Sequence, residues 1–199
     1  MGNDPTDSPQ VLHVSDGVWA RQAVDNMGWA DLGGSAVIVD ALEQRRLKDD
    51  VFAALDETLG DTPVRHVLNT HTHGDHTALN RALVKRYKAD VVNARTGDLG
   101  EDGRWFEGQR GRALLLPTPG CHTDEDCCVW IEPDRVLFVG DVFGWGLVPP
   151  NGALAPGQAE HILRTYERLI DFGAETVVPG HGPVCSTAEL QRWTEYFRR

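Results

Sequence analysis

The chain has 199 residues, 41% of them hydrophobic, and carries a formal net charge of -11. That length and apolar content suffice for one buried core and exclude an intrinsically disordered chain, while the acidic balance disfavours a phosphate-backbone ligand such as nucleic acid. No apolar run approaches the ~20 residues that a membrane span requires.

Residues 1–10 combine Asn3, Asp4, Pro5 and Pro9 without the basic start or apolar stretch of a signal peptide, so they read as a flexible tail ahead of a single domain over 11–199. Strands are predicted at 11–14 and 18–24, joined by the turn Ser15-Asp16-Gly17. Residues 25–34, rich in Gly, Asp and Asn, read as a loop, and 35–40 as a buried strand. Helical spacing over 42–59 stops at Gly60. A strand at 64–69, a loop at 70–76, a helix at 77–87 and a strand at 90–93 follow. The charged, glycine-rich stretch 95–112 reads as a surface loop. Three strands then come at 113–118, 128–132 and 135–140, and a Gly/Pro-rich loop covers 141–157. An amphipathic helix at 158–172, a strand at 175–178, a loop at 179–183 and a helix at 187–197 with Ser186 as its N-cap close the chain. The order describes two similar β-rich halves with helices outside, a pattern that suggests an internal duplication. The four cysteines, Cys121, Cys127, Cys128 and Cys185, form no C-x-x-C pair. They read as packing thiols in a cytoplasmic protein.

The chemistry concentrates in one segment, His71-Thr72-His73-Gly74-Asp75-His76, which directly follows the apolar strand. A loop at the C-terminal end of a strand is where side chains converge in open α/β architectures. Two imidazoles at i and i+2 can face one ion, and Asp75 with His76 can face a second beside it. Gly74 is expected to allow a sharp backbone turn between the two pairs. His122, Asp141 and His181 each follow another strand. His71, His73 and His122 would hold one ion, and Asp75, His76 and His181 the other, with Asp141 bridging them. Imidazole and carboxylate donors suit zinc, with iron or manganese also accommodated. Asp40, at the end of its strand, is placed to fix the tautomer of a ligand histidine from behind. His13, His66 and His161 are read as surface or packed residues.

The segment from Thr70 to His76 resembles the H-x-H-x-D-H signature of the metallo-β-lactamase superfamily. The resemblance continues through Asp40, Pro119-Gly120-Cys121-His122-Thr123, Gly140-Asp141 and Pro179-Gly180-His181-Gly182-Pro183. It implies a mixed α/β fold, a four-layer αββα sandwich with two metal ions at one edge, and the same ligand roles. Asp141 stands where true β-lactamases of the family place Cys or Ser, so the site resembles the glyoxalase II and lactonase type. His73, rather than Glu, sets the segment apart from flavodiiron proteins. One departure is His122-Thr123-Asp124-Glu125, where the family commonly continues His-Thr-Pro-Gly. The resemblance implies a hydrolase that cleaves an ester, thioester or lactone of a small molecule with a hydroxide held between two Zn2+ ions, Asp75 handling a proton. An iron-dependent persulfide dioxygenase, a β-lactam hydrolase and a phosphodiesterase are the other chemistries of the fold. Neither nucleic acid nor membrane is expected as a partner, and the chain is expected to be a monomer or homodimer. Trp29, Trp105, Phe106, Phe143 and Trp145 are candidates to line the substrate mouth, along with Met27 and Leu147. No cluster of Arg or Lys stands out as a phosphate clamp.

Overall fold

The structure, a computed structural model, describes residues 9–42, 44–143 and 157–198. The first sheet has the order β1 (Gln10–Ser15), β2 (Val18–Gln22), β3 (Met27–Asp31), β4 (Ala36–Val39), β5 (Val64–Leu68) and β6 (Asp90–Val92). The second runs β11 (Thr176–Pro179), β10 (Val136–Gly140), β9 (Cys127–Glu132), β8 (Arg112–Pro117) and β7 (Arg104–Glu107). The helices are α1 (Lys48–Leu59), the short α2 (Gly74–Thr77), α3 (Asn80–Tyr87), α4 (Gln158–Asp171) and α5 (Thr187–Phe197).

Side-chain alternation builds the layers. In β4, Val37 and Val39 face the second sheet, whereas Ala36 and Ile38 face α1 and α3. In β8, Ala113 and Leu115 point into the space between the sheets, and Leu114 and Leu116 point outward beneath α4 and α5. Strands buried on both faces need continuous apolar runs, which is why these segments read as AVIV and ALLL. Val51, Leu55 and Leu59, one turn apart on α1, close one outer layer, and Ile162, Tyr166 and Leu169 of α4 with Leu190 of α5 close the other. The result is the expected αββα sandwich. No helix among the described residues is long and apolar enough to cross a membrane.

Several elements depart from expectation. β1 starts at Gln10, inside the expected tail. β3 occupies the supposed loop: Met27 and Trp29 face the helices, Ala30 faces the other sheet, and Trp29 pairs with Ile38 across the ladder. Its polar flanks, Asp25-Asn26 before and Gly33-Gly34 after, hide a strand of five residues. β7 also lies where a loop was expected, its Arg104 and Glu107 turned to solvent as suits a sheet edge. α1 begins at Lys48, after a 3-10 turn at Arg45–Leu47, because Asp40 (φ 60°) and Leu42 (φ 51°) hold left-handed backbone that no α-helix accommodates. The loop at 70–76 already turns helical at Gly74. Ser186 occupies the N-cap position of α5 but its side chain makes no capping hydrogen bond.

β4, β5 and β6 run parallel, as do β10 and β11, and β8 shares the direction of β10 because both lie antiparallel to β9. The C-terminal ends of these strands therefore bring residues 40, 70–76, 118–122, 141 and 179–181 to one edge of the sandwich.

Candidate metal centre

Seven side chains meet at that edge in two groups. His71, His73 and His122 form one; Asp75, His76, Asp141 and His181 form the other, and within each group the donor atoms lie within 4.8 Å of one another. In the first, His122 Nε2 is 3.1 Å from His73 Nδ1. In the second, His181 Nε2 is 3.1 Å from Asp75 Oδ2, and His76 Nε2 is 3.7 Å from the same oxygen. Asp141 stands between the groups: its Oδ1 is 3.3 Å from His76 Nε2, and its Oδ2 is 3.5 Å from His122 Nε2 and 3.9 Å from His71 Nε2.

The inward-facing atoms are bare. Among the described residues, the buried Nε2 atoms of His71 and His76 and Oδ1 of Asp141 have no hydrogen-bond partner. Buried polar atoms without partners are costly, so a set of them converging on one space is a sign of a missing cation. Nitrogen and carboxylate donors with this spacing fit divalent ions of the zinc class.

The outward-facing nitrogens of His71, His76 and His181, by contrast, are held, whereas Nδ1 of His122 is buried without a partner among the described residues. Asp40 Oδ2 lies 2.9 Å from His76 Nδ1 and accepts the Thr70 hydroxyl at 2.8 Å, while its Oδ1 accepts the Thr70 backbone N–H at 2.8 Å. With the Thr70 hydroxyl proton turned to Asp40, Thr70 Oγ1 is an acceptor for His71 Nδ1 at 3.3 Å. The Val24 carbonyl stands 2.7 Å from His181 Nδ1. A proton on each Nδ1 leaves Nε2 as a lone-pair donor, the form a metal requires. One buried carboxylate thus orients a histidine of each group.

The electrostatics agree with a cation-shaped gap. Burial pushes His71 down to about 4, and His122 is lowered for the same reason. Burial at His76 opposes the charged ring, but Asp40 and Asp141 outweigh it and raise its pKa far above the ordinary range. Asp141, its Oδ2 3.6 Å from His181 Nε2, lifts His181 to about 9. Burial would favour a protonated Asp141, yet His181 and His76 hold it ionised well below the usual carboxylate range. Protons here compensate the carboxylates at positions that a divalent ion would fill, so metal uptake must release them.

Two glycines, neither of them Gly74, make the site possible. Gly74 has an ordinary backbone and a Cβ there would meet nothing within 4 Å, so the expected sharp turn does not depend on it. A Cβ on Gly180 would lie 2.1 Å from Asp141 Oδ1 and 2.9 Å from His76 Cε1. Gly140, at φ +51°, passes so near Thr70 that a Cβ would fall 2.4 Å from its Oγ1.

Among the described residues, the aromatic candidates pack into the core layers. Trp29 is fully buried beneath α1, where its Nε1 donates to Thr58 Oγ1 at 2.8 Å, and Met27 packs in the same layer. Phe106 is buried between the sheets against His66, with ring centroids 4.7 Å apart. Phe143 is buried beside Trp193 of α5. Trp105 packs on the α4 and α5 side of its sheet under the Arg112 guanidinium. Trp145 and Leu147 lie outside the described residues. Of the remaining histidines, His13 is exposed against Trp19, and His161 Nε2 reaches the Pro119 carbonyl at 2.6 Å. Cys121, Cys127 and Cys128 are buried thiols, the first two pushed up to about 11 and about 12 by burial.

The sequence reading missed the residues that hold the loops. Asn26, buried, donates to the carbonyls of Pro179 at 2.8 Å and Gly182 at 2.7 Å and so carries the His181 loop. Asp126 accepts the backbone N–H of His122 at 2.6 Å and that of Thr123 at 2.9 Å. Glu125 accepts the Thr72 hydroxyl at 2.5 Å and pairs with Arg95. A local signal was present in Thr123, whose hydroxyl accepts the Glu125 N–H two residues on and donates to Asp126 Oδ1. Nothing local marked Asn26 as the holder of the His181 loop, because the two carbonyls it donates to lie more than 150 residues away.

Comparison with known proteins follows the same line. Residues 25–119 and 92–181 match the family described as the Metallo-beta-lactamase superfamily. A hydroxyacylglutathione hydrolase of Methylococcus capsulatus is 39% identical over 123 residues, which is 57% of this chain and 46% of that protein. An atrochrysone carboxyl ACP thioesterase of Aspergillus aculeatus is 28% identical across 96% of this chain and 62% of its own length. The chain therefore spans about half to three fifths of these curated relatives. A metallo-beta-lactamase from Pontibacter korlensis superposes over 96% of this chain and 100% of its own, with a TM-score of 0.78 and 19% identity.

Proposed function

The chain belongs to the metallo-beta-lactamase superfamily, and we propose that it is a metal-dependent hydrolase that cleaves the thioester of a small molecule. The observation that carries this reading is Asp141 between the two donor groups: its Oδ1 lies 3.3 Å from His76 Nε2, and its Oδ2 lies 3.5 Å from His122 Nε2 on one side and 3.6 Å from His181 Nε2 on the other. That donor set would hold two divalent ions. Zinc fits the donor set, and iron or manganese would use the same atoms. When bound, such ions supply Lewis acidity and an activated water at neutral pH.

The protein's own groups do the rest. His71, His73 and His122 present one face of imidazoles, and Asp75, His76 and His181 with Asp141 present the other. Asp40, through Thr70 and His76, keeps the ring nitrogens aimed inward. Asp75, partly exposed beside His181, is placed to take the proton of the attacking water and return it to the leaving group. A thiolate is a good leaving group, so little further acid assistance is needed. Two relatives carry the printed names hydroxyacylglutathione hydrolase and ACP thioesterase, and an acyl group borne on a thiol is common to both. The buried thiols suit a reducing compartment, which supports a cytoplasmic location.

The test is a panel of acyl thioesters, lactones, β-lactams and phosphodiesters with the zinc-loaded chain. Thioester turnover is expected to exceed that of the other classes, to vanish on chelation and to be absent in His73→Ala. Elemental analysis should find about two metal equivalents per chain. Loaded protein that turns over no thioester, ester or lactone would overturn the proposal.

A further inference from the structure

The acidic chain conceals a concentrated basic groove next to the metal centre. A cavity of about 720 Å³ opens beside Asp75 and is lined by Arg45, Gly74, Thr77 and Ala78. A second, of about 390 Å³, shares Arg45 and Ala78 with it and adds Lys48, Arg81 and Lys85 over a floor of Leu79 and Ala82. The cations come from two elements: Arg45 and Lys48 from the turn leading into α1, Arg81 and Lys85 from successive turns of α3. Among the described residues, Arg45, Arg81 and Lys85 enter no ion pair, and Lys48 has only the exposed Asp49 at 3.3 Å. No carboxylate occurs between His76 and Ala89, although the chain holds 30 acidic residues against 19 Lys and Arg. Four like charges facing one hollow repel one another, and an anion there would relieve that cost. Asp75 of the metal centre lines one end of the groove, Arg45 lines both hollows, and Lys48, Arg81 and Lys85 line the other end.

Resting on the thioesterase reading above, we propose that Arg45, Lys48, Arg81 and Lys85 bind the multiply anionic thiol portion of a small-molecule thioester whose carbonyl lies at the metal centre. The ligand class is a thiol bearing two or more phosphate or carboxylate groups. A concavity of about 390 Å³ with an apolar floor has the scale of a small-molecule subsite rather than of a protein docking face. No Arg or Lys cluster stands out in the sequence as a phosphate clamp, because the pair Arg45 and Lys48 meets the pair Arg81 and Lys85 only in space.

The experiment compares one acyl group on three thiols with the metal-loaded full chain: a neutral short thiol, coenzyme A for phosphates, and glutathione for carboxylates. The wild type is expected to prefer one charged thioester over the neutral one by about tenfold or more in kcat/KM at low salt, with the preference fading as salt rises. Which charged arm wins identifies the anion. Arg81→Glu combined with Lys85→Glu, both at exposed positions of α3, should reduce that preference about tenfold, as loss of charge-assisted contacts does. Arg45→Gln, on a different element, should reduce it as well. A wild type without preference, a preference that survives these substitutions, or a preference only for a thioester carried on an acidic protein would overturn the proposal. If no thioester is turned over at all, the thioesterase reading fails separately. The groove is then judged by calorimetric binding of adenosine 3′,5′-bisphosphate and S-methylglutathione to loaded and chelated protein. Binding of either that persists after chelation and weakens in the double variant supports it; absence of both, or indifference to the variant, overturns it.

Discussion

Replacing Asp40 by Asn would separate folding from metal binding. Asp40 is buried and accepts three hydrogen bonds, two from Thr70 and one at His76 Nδ1, at 2.8, 2.8 and 2.9 Å. Asn preserves the shape, tolerates the left-handed φ of 60° better than most residues, and keeps one oxygen for the Thr70 N–H. Its amide nitrogen then stands where an acceptor stood. His76 can meet that nitrogen only by moving its own proton to Nε2, the atom facing Asp75 and Asp141. A protonated Nε2 cannot ligate. Loss of such an outer partner costs about 10- to 100-fold in metal affinity, and the forced tautomer places Asp40→Asn at the upper end, about 2.7 kcal/mol. The metal-free fold should lose about 1 to 3 kcal/mol for the two rearranged buried hydrogen bonds at Oδ2, those of the Thr70 hydroxyl and of His76, a shift of about 2 to 12 °C in melting temperature. Zinc competition against a chromophoric chelator reads the first quantity and metal-free thermal denaturation the second. An Asp40→Asn protein that binds both metals within about threefold of wild type would refute the tautomer argument.

The other consequences concern the glycine at the site, a buried histidine away from it, and the ions themselves. Gly180→Ala places a Cβ 2.1 Å from Asp141 Oδ1, so elemental analysis should show loss of at least one metal equivalent; retention of both would show that the loop yields without displacing Asp141. His66, whose Nδ1 is buried without a partner among the described residues, is lowered below its ordinary 6.5 chiefly by burial. The unfolded chain therefore binds this proton at higher pH than the folded one, and the stability present above pH 6.5 is lost as pH falls toward the folded value. His66→Leu should flatten the difference in melting temperature between pH 5 and pH 7.5 relative to wild type, and an unchanged slope would contradict the assignment. Chelation of protein equilibrated at metal concentrations about 100 times Kd should lower the melting temperature by about 5 to 10 °C, whereas an unmoved transition would mean that the ions contribute nothing to the folded state.

Short-range patterns carried much of this in the sequence. The segment from His71 to His76 packs five candidate functions into adjacent positions, and each remaining ligand candidate follows an apolar run that is itself legible as a strand. Periodicity also identified the amphipathic helix α4, and continuous apolar runs identified the doubly buried strands, because a half-buried helix hides every third to fourth residue whereas a strand covered on both faces hides each one. Strands β3 and β7 escaped, since a short strand between Gly- and Asp-rich flanks, or at a charged sheet edge, shows too little alternation to register.

Spatial coincidence was decided by the tertiary structure alone. Trp29 and Phe106 look like mouth residues until the sheet faces bury them. Gly74 looks indispensable by its position, yet Gly180 is the glycine that Asp141 needs, because close approach involves two loops and not one. Asn26 holds the His181 loop from across the chain, and the basic groove joins a turn before α1 to the face of α3. Spacing along a chain specifies local geometry through bond lengths and dihedral preferences; which distant atoms become neighbours depends on how the two sheets pack, and that is a property of the whole core.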